Sequence, residues 1–292
     1  MRLGIFARTF ARPTLGEALD AVRDAGIRSI QFNLALTGGP SMPAEIPPPL
    51  AAEVRSAVCE RELEMAAVSG TYNMAHPDPA VRAAGAVGLH ALIAAAPVLG
   101  TRVVTLCTGS RDPDDLWRAH PANATREAWR DSVEQISSAL RVAEDHDVLL
   151  AFEPEHGNVV RDARAGRRLL DELRSEHLRV VLDAANLIGA GGLPRQHEIL
   201  GEAFALLGDD LVLAHAKDVR DDGTIVAAGH GELDYGLYVD LLRAAGYAGP
   251  LIVHGLAERD VSAVARFVGR HLEPPGPPTS GRPVPCGSPW AA

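Results

Sequence analysis

Short apolar runs alternate with amphipathic segments over the first 272 residues. Eight of the runs have the length and composition of buried strands. They are Leu3–Ala7, Ile27–Leu34, Leu63–Ser69, Arg102–Cys107, Val148–Glu153, Leu178–Asp183, Leu211–Lys217 and Pro250–His254. Segments with helical periodicity lie between them, including Leu15–Ala25, Ala51–Arg61, Arg126–His146 and Ala163–Arg174. This alternation predicts a parallel sheet built from right-handed βαβ units.

Eight such units within residues 1–272 fit one α/β domain, a closed (β/α)8 TIM barrel. An open, doubly wound sheet is the alternative, and it would normally carry a glycine-rich turn after the first strand. Here that turn is Phe6-Ala7-Arg8-Thr9-Phe10, without glycine. The pattern therefore favours the barrel.

The last twenty residues, 273–292, differ in composition from the rest. They contain seven prolines and three glycines, which is typical of an extended or disordered segment. We expect a disordered, Pro-rich C-terminal tail after the barrel.

Composition narrows the range of partners and compartments. The chain has 28 Lys and Arg against 38 Asp and Glu, a net charge of −10, and this argues against a nucleic-acid partner.

Three cysteines without a CxxC pair favour a reducing compartment. The N-terminus lacks the pattern of a signal peptide, and the apolar stretch Ala83–Gly100 carries His90 and Pro97, which favours a buried helix over a membrane span. We expect a cytoplasmic protein without a membrane partner; a homo-oligomer remains open.

The candidate chemistry lies where the strands end. In a (β/α)8 barrel the C-terminal ends of the strands form the mouth of the active site. The fifth to eighth strands carry Glu153, Asp183, His215 and His254 at or near these ends. Because side chains alternate between the two faces of a strand, all four can point toward the barrel axis. Two carboxylates and two imidazoles suit Mn, Zn, Fe or Co, and suit Mg less well.

Each of these residues also has an ordinary structural interpretation. A carboxylate at a strand end is commonly a helix cap or an ion-pair partner, and a histidine after an apolar run is commonly a core residue. Four such residues in matching register favour a shared metal ion, since a buried charge without a partner is costly.

The motifs at these strand ends resemble those of a known superfamily. Phe152-Glu153-Pro154-Glu155, Asp183-Ala184-Ala185-Asn186 and His215-Ala216-Lys217-Asp218 are similar to motifs of the xylose isomerase-like TIM barrel superfamily, over about residues 1–272. The group includes sugar-phosphate isomerases and epimerases, with endonuclease IV as a distant relative. The resemblance implies that Glu153, Asp183 and His215 are three of the usual four metal ligands.

The fourth ligand position differs from the family pattern. Family members that epimerise a ketose usually end the eighth strand with a glutamate that also moves a proton, whereas this chain has His254. A histidine can still bind metal, but it is a different base. Chemistry with one carboxylate base, or with a histidine base, becomes the expectation.

Other polar residues follow the same strand ends. Glu155 is a candidate general base, or else the ion-pair partner of an arginine such as Arg164. Lys217 is a candidate for stabilising an enolate or binding an anionic group, or else the partner of a barrel carboxylate. His76, in the loop after the third strand, is a candidate for proton transfer. The candidate substrate-binding residues are Asn73, Trp117, His120, Asn158 and Asn186.

These features together predict a divalent-metal-dependent isomerase or epimerase of a small sugar or related polyhydroxylated carbonyl compound. Glu153 or Glu155 would remove the proton α to a metal-polarised carbonyl, giving an ene-diolate, and His254 or His76 would return it. The open alternatives are a dehydratase or lyase on a keto-sugar or keto-polyol at the same site, and a non-catalytic sugar-binding barrel. The net charge and Asn186, where the endonuclease branch usually has a histidine ligand, oppose a DNA-repair activity.

Overall fold

A computed structural model describes residues 1–273 of the chain. Its strands are β1 (Arg2–Phe6), β2 (Ser29–Phe32), β3 (Glu64–Ser69), β4 (Val103–Leu106), β5 (Leu149–Phe152), β6 (Leu178–Asp183), β7 (Leu211–Val219), β8 (Ile225–Ala227) and β9 (Pro250–Val253). Eight strands pair in parallel in the order β1-β2-β3-β4-β5-β6-β7-β9, and the pairing of β9 with β1 closes the barrel. The predicted (β/α)8 fold is confirmed.

The helices lie between the strands and form the outer layer. They are α1 (Leu15–Asp24), α2 (Pro48–Cys59), α3 (Pro79–Leu99), α4 (Arg126–His146), α5 (Ala163–Leu173), α6 (Ala184–Ile188), α7 (Gln196–Leu207), α8 (Tyr235–Ala244) and α9 (Val261–Leu272). Side-chain caps begin several of them: Thr14 and Glu17 form a reciprocal capping box at α1, and Asp78 and Asp162 cap α3 and α5. Each cap satisfies a backbone N–H that the helix leaves unpaired.

All eight predicted strands are present, with boundaries that differ by at most two residues. Periodicity did not predict two short elements. The first is β8, which pairs antiparallel with the end of β7 (Lys217 opposite Ala227) and extends the mouth of the barrel. The second is α6, a single turn that begins directly after Asp183.

Two apolar layers hold the barrel. The larger lies between the sheet and the helices, where Leu19, Ile93 and Leu200 have no exposed surface. The smaller fills the inside of the barrel with residues from five strands: Ala67, Ala151, Val181, Leu213 and Ile252. This packed interior places a solid floor beneath the strand ends, so a polar site can form only above it, at the mouth.

One helix among residues 1–273, α3, is long and apolar enough to cross a membrane by length and composition alone. In the barrel, α3 packs between α2 and α4, and its Leu89, Leu92 and Ile93 side chains are fully buried. It is a helix of the outer layer, as we predicted for Ala83–Gly100. The predicted tail lies, apart from Glu273, outside the described residues.

Candidate active site

The structure brings the four predicted strand-end residues to one point at the mouth of the barrel. Glu153 follows β5, Asp183 ends β6, His215 lies within β7 and His254 follows β9. One potential ligand atom from each lies within 4.8 Å of those of the other three. The rings of His215 and His254 meet edge to face with centroids 4.5 Å apart. The arrangement predicted from strand register is therefore the arrangement observed.

The two carboxylate oxygens of Asp183 make different contacts. Oδ1 accepts a hydrogen bond from the Ala185 backbone N–H at 3.0 Å and so caps α6. Oδ2 faces the cluster, with Lys217 Nζ at 3.3 Å and His254 Nε2 at 3.4 Å. These distances fit ion pairs, yet the angles do not fit hydrogen bonds, and Oδ2 is left without a hydrogen-bond partner among residues 1–273.

A glutamine on β2 orients His215. Gln31 Oε1 lies 2.7 Å from His215 Nε2, and Gln31 Nε2 donates to Ser69 Oγ at 2.9 Å. With the amide in this orientation, Nε2 of His215 is the protonated nitrogen, and the lone pair of Nδ1 points toward Glu153 Oε2, 3.1 Å away. A metal-binding histidine normally has such a hydrogen-bond partner on its other nitrogen.

Each carboxylate oxygen of Glu153 has a polar neighbour. Asn186 Nδ2 donates to its Oε1 at 2.6 Å, while Oε2 faces His215. Among the described residues, four buried side-chain atoms have no hydrogen-bond partner, and three belong to this cluster: Asp183 Oδ2, His215 Nδ1 and His254 Nε2. Buried polar groups are normally satisfied. Convergent, unpartnered oxygen and nitrogen donors fit a divalent transition metal ion well.

The charges in the cluster shift one another's pKa. Burial raises the pKa of Asp183, but the charges of Lys217 and His254 outweigh it, and the net pKa is lowered. Burial lowers the pKa of Lys217, but the charges of the surrounding carboxylates outweigh this effect, and the net pKa lies above the ordinary value. His254 has its pKa lowered to about 4, mainly by burial and then by the Lys217 charge. These shifts favour ionised Glu153 and Asp183 beside a charged Lys217 and a neutral His254.

Glu153, His215 and His254 line a cavity of about 680 Å³, and Asp183 is buried beside them. Of the other predicted residues, Glu155, Lys217, Trp117 and Asn186 all line it. Burial, and then the charge of Glu153, raise the pKa of Glu155 well above its usual value. The suggested partner of Glu155, Arg164, instead pairs with Glu202 at 2.7 Å, so the ion-pair interpretation of Glu155 does not hold.

Five predicted residues are absent from the lining of this cavity within residues 1–273: Asp183, which is fully buried beside the other cluster residues, and the four loop residues Asn73, His76, His120 and Asn158. Asn73 and Asn158 are buried in the loops and accept from the backbone N–H groups of Ser110 and Gly109. His76 Nε2 lies 3.1 Å from the Pro113 carbonyl, outside the lining. His120 Nδ1 accepts from Ala122 N–H and caps a short 3-10 helix (Pro121–Ala124). These contacts shape the loops that surround the mouth.

Sequence reasoning missed several residues that line the cavity. Gln31 carried a usable signal, because it is a lone polar residue inside the apolar run Ile30-Gln31-Phe32. Phe6 meets the ring of His254 edge to face at 6.5 Å, and Arg8 follows it in the first βα loop. No sequence signal pointed to these two.

The fold is shared with several solved structures. D-psicose 3-epimerase with D-tagatose, from Clostridium cellulolyticum H10, superposes with a TM-score of 0.67 at 16% identity, covering 94% of this chain and 100% of that one. 3-keto-D-glucoside 4-epimerase from E. coli gives a TM-score of 0.68 at 15% identity, covering 92% and 99%. The probable 3-DHS dehydratase AsbF from Bacillus anthracis gives 0.69 at 12%, covering 92% and 99%. At these identities the likeness establishes the fold.

Sequence comparison identifies the family. No curated protein matches the chain. The family described as "Xylose isomerase-like TIM barrel" matches residues 19–269, a span that contains all four residues of the cluster. The chain thus belongs to the xylose isomerase-like TIM barrel family.

Proposed function

We propose that the protein is a divalent-metal-dependent isomerase or epimerase of a small sugar or a related polyhydroxylated carbonyl compound. The observation that supports this most strongly is the cluster of Glu153, Asp183, His215 and His254, whose potential ligand atoms lie within 4.8 Å of one another and include three without a hydrogen-bond partner. Sugar epimerases among the solved structures of the same fold support the substrate class.

The four cluster residues would hold the metal, which supplies Lewis acidity toward a carbonyl or hydroxyl oxygen. Glu155 is the general base in this proposal. Glu153 would be occupied by the metal, and its Oε1 also accepts a hydrogen bond from Asn186 at 2.6 Å. The carboxylate of Glu155 lines the cavity and makes no hydrogen bond to another side chain within residues 1–273. It is therefore free to take a proton from a carbon α to the substrate carbonyl.

In this proposal, Lys217 balances the charge that the proton transfer creates. The ammonium of Lys217 lies in the cavity wall beside Asp183 and would stabilise the negative charge that develops on an ene-diolate oxygen. Glu155, protonated in the first step, would return the proton to the neighbouring carbon, while His254 would hold the metal. His76, which does not line the cavity, has no place in this proposal.

A dehydratase at the same site is the second candidate, and the placement of the carboxylates favours it. Glu153 and Glu155 follow β5 and Asp183 ends β6, while the β9 side offers His254 instead of a second carboxylate base. One base and one acid suffice to expel a β-hydroxyl. Proton NMR in D₂O separates the two reactions, since isomerisation exchanges a C–H while elimination also releases water and leaves an unsaturated product.

The ligand assignment is tested with Asp183→Asn in the full chain. Asparagine keeps the Oδ1 cap on α6 and removes the charge at the Oδ2 position. We expect bound Mn²⁺ per chain, measured by elemental analysis after dialysis, to fall at least about tenfold, and C–H exchange on D-fructose, D-tagatose and L-ribulose to disappear. Asp240→Asn, an exposed carboxylate on α8, is the control. Full metal occupancy in Asp183→Asn would refute the assignment.

A further inference from the structure

The chain uses one kind of basic residue almost everywhere. Of its 28 Lys and Arg residues, 27 are arginine, and the only lysine is Lys217. This lysine lies in the wall of the cavity, with 11% of its side chain exposed. Arginine presents a rigid planar fork, whereas lysine carries a compact ammonium on a flexible stem of four carbons. The one departure from arginine therefore places a small, movable charge beside the cluster.

The ammonium of Lys217 faces an oxygen that the proposed metal ion would also bind. Oδ1 of Asp183 caps α6, so Oδ2 is the oxygen left for an ion. Lys217 Nζ lies 3.3 Å from this Oδ2, but no hydrogen bond joins the two atoms. Charge alone holds the ammonium here, without the directed hydrogen bond that strengthens many ion pairs. Another cation can therefore replace it at this oxygen.

The backbone of Lys217 is fixed, while its side chain borders open space. β8 pairs with β7 at this residue, with Ala227 opposite Lys217, and the buried hydroxyl of Tyr235 donates to the Lys217 carbonyl at 2.6 Å. On one side the stem meets Gly255, which has a φ angle of 68° and no side chain. The ammonium end lines the cavity. The stem can therefore rotate without any movement of β7.

Charge decides whether the ammonium can stay beside a bound ion. Glu153 and Asp183 carry two negative charges, which a divalent ion balances. Metal–oxygen bonds are about 2.0–2.2 Å long, so an ion on Asp183 Oδ2 would lie at most about 5.5 Å from an ammonium that is 3.3 Å from the same oxygen. This separation is shorter than the screening length of about 8 Å in physiological salt. The two cations would therefore repel each other.

We propose that Lys217 and the metal ion compete for Asp183: the ammonium balances this carboxylate when no ion is bound, and metal binding moves it away from Asp183 into the cavity. There its charge faces the substrate oxygen that becomes negative during proton transfer. Metal binding thus prepares the substrate site, and the metal binds before the substrate. This inference rests on the proposed function, because it takes the cluster as the metal site.

Because the chain has one lysine, the position of that side chain can be followed directly. The full chain is labelled with lysine that carries ¹³C at Cε and gives one lysine NMR signal. Broadening of this signal by the neutral nitroxide TEMPOL measures its exposure. The spectrum is recorded after metal removal with EDTA, and again with diamagnetic Zn²⁺. We expect Zn²⁺ to shift the signal and to increase its broadening, because the ammonium leaves Asp183 for the cavity.

Removal of the competing charge gives a second measurement. We expect Lys217→Met to bind Mn²⁺ about tenfold more tightly than wild type, a change within the usual range for two coupled binding events. Competition with a metal-sensitive dye measures the affinity. Arg8→Met is the matched control. It removes a positive charge from an exposed residue in the lining of the same cavity and should leave the Mn²⁺ affinity unchanged, since solvent screens an exposed charge.

The same variant should lose stability only in the absence of metal. Without Mn²⁺, Lys217→Met should unfold at a lower urea concentration than wild type, because buried Asp183 loses its counter-charge. Saturating Mn²⁺ should remove this difference. Two results would each overturn the inference: a Lys217 signal whose exposure does not change with Zn²⁺, or a Lys217→Met variant that binds Mn²⁺ no more tightly than wild type.

C–H exchange in D₂O on D-fructose, D-tagatose and L-ribulose, recorded separately, distinguishes the two proposals. Exchange by a chain whose Lys217 stays in place on metal binding leaves the proposed function standing and refutes the competition. Displacement of Lys217 by the ion without exchange on any of these sugars supports the competition and contradicts the proposed function. A wild-type chain that binds neither ion contradicts both.

Discussion

At the scale of single residues, the proposed metal site depends on side chains that would not bind the metal themselves. Gln31 connects β2 to β7 through its hydrogen bond with His215, and it is anchored in turn by Ser69 on β3 and Thr105 on β4, at 2.9 and 3.3 Å. Four strands thus fix one imidazole. Such a partner selects the tautomer and the ring orientation that a metal ion needs.

We therefore expect Gln31→Met to weaken Mn²⁺ binding about 10- to 100-fold, because His215 loses the acceptor for its Nε2–H. Competition with a metal-sensitive dye measures the dissociation constant without any substrate. Gln31→Glu is the matched variant, since a carboxylate still accepts from Nε2–H and should preserve most of the affinity. Equal affinities in Gln31→Met and wild type would show that Gln31 does not position His215.

At the scale of elements, α8 ties together the two strands that carry Asp183 and His215. The register between β6 and β7 shifts between Val180 and Val181. Close to the mouth, the buried hydroxyl of Tyr238 on α8 lies 2.9 Å from the Leu182 carbonyl and 3.0 Å from the His215 carbonyl. A helix side chain thus spans the ends of two neighbouring strands.

Tyr238→Phe should lower the free energy of unfolding by roughly 1–3 kcal/mol, because buried carbonyls lose their donor. We also expect weaker Mn²⁺ binding, since the two ligand-bearing strands lose a shared anchor. Tyr72→Phe is the control. It removes the hydrogen bond to Gln135 at 2.8 Å on another side of the barrel and should reduce stability in urea without changing metal affinity. Unchanged Mn²⁺ affinity in Tyr238→Phe would contradict the anchoring role.

At the scale of the whole molecule, a buried ion-pair network joins the helical layer to the loop after β4. Asp131 on α4 pairs with Arg82 on α3 at 3.2 Å and with Arg111 in the loop at 2.7 Å. Burial raises the pKa of Asp131, but hydrogen bonds from Arg111 and Arg130 outweigh it and the net pKa is lowered. A carboxyl group with a lowered pKa stabilises the fold above its unfolded-state pKa and loses this contribution as the pH falls.

Asp131→Asn should therefore cost roughly 3 kcal/mol of stability at pH 7, because two largely buried guanidinium groups lose their counter-charge. The difference from wild type should shrink below about pH 4, where the unfolded chain takes up a proton at this position. Urea unfolding at several pH values measures both effects, with exposed Asp240→Asn as the control. A stability difference that does not change with pH would contradict the assignment.

The sequence predicted the barrel and the cluster because both follow from regular patterns. Each strand is an apolar run, and register alone places Glu153, Asp183, His215 and His254 together. The loop residues follow no such rule. Asn73 and Asn158 carry the side-chain amide that often binds sugar hydroxyls. Here their amide oxygens instead accept hydrogen bonds from backbone N–H groups inside the loops. Irregular backbone needs such partners, and periodicity carries no information about where they are.

The order of the strands also has a consequence for biosynthesis. All four cluster residues lie in the second half of the chain. The first strand to be synthesised, β1, can complete its pairing only after β9 has been synthesised. A nascent chain acquires its full set of donors only when residue 254 has left the ribosome. If the cluster holds an ion as proposed, the ion would therefore enter the site late in the maturation of the chain.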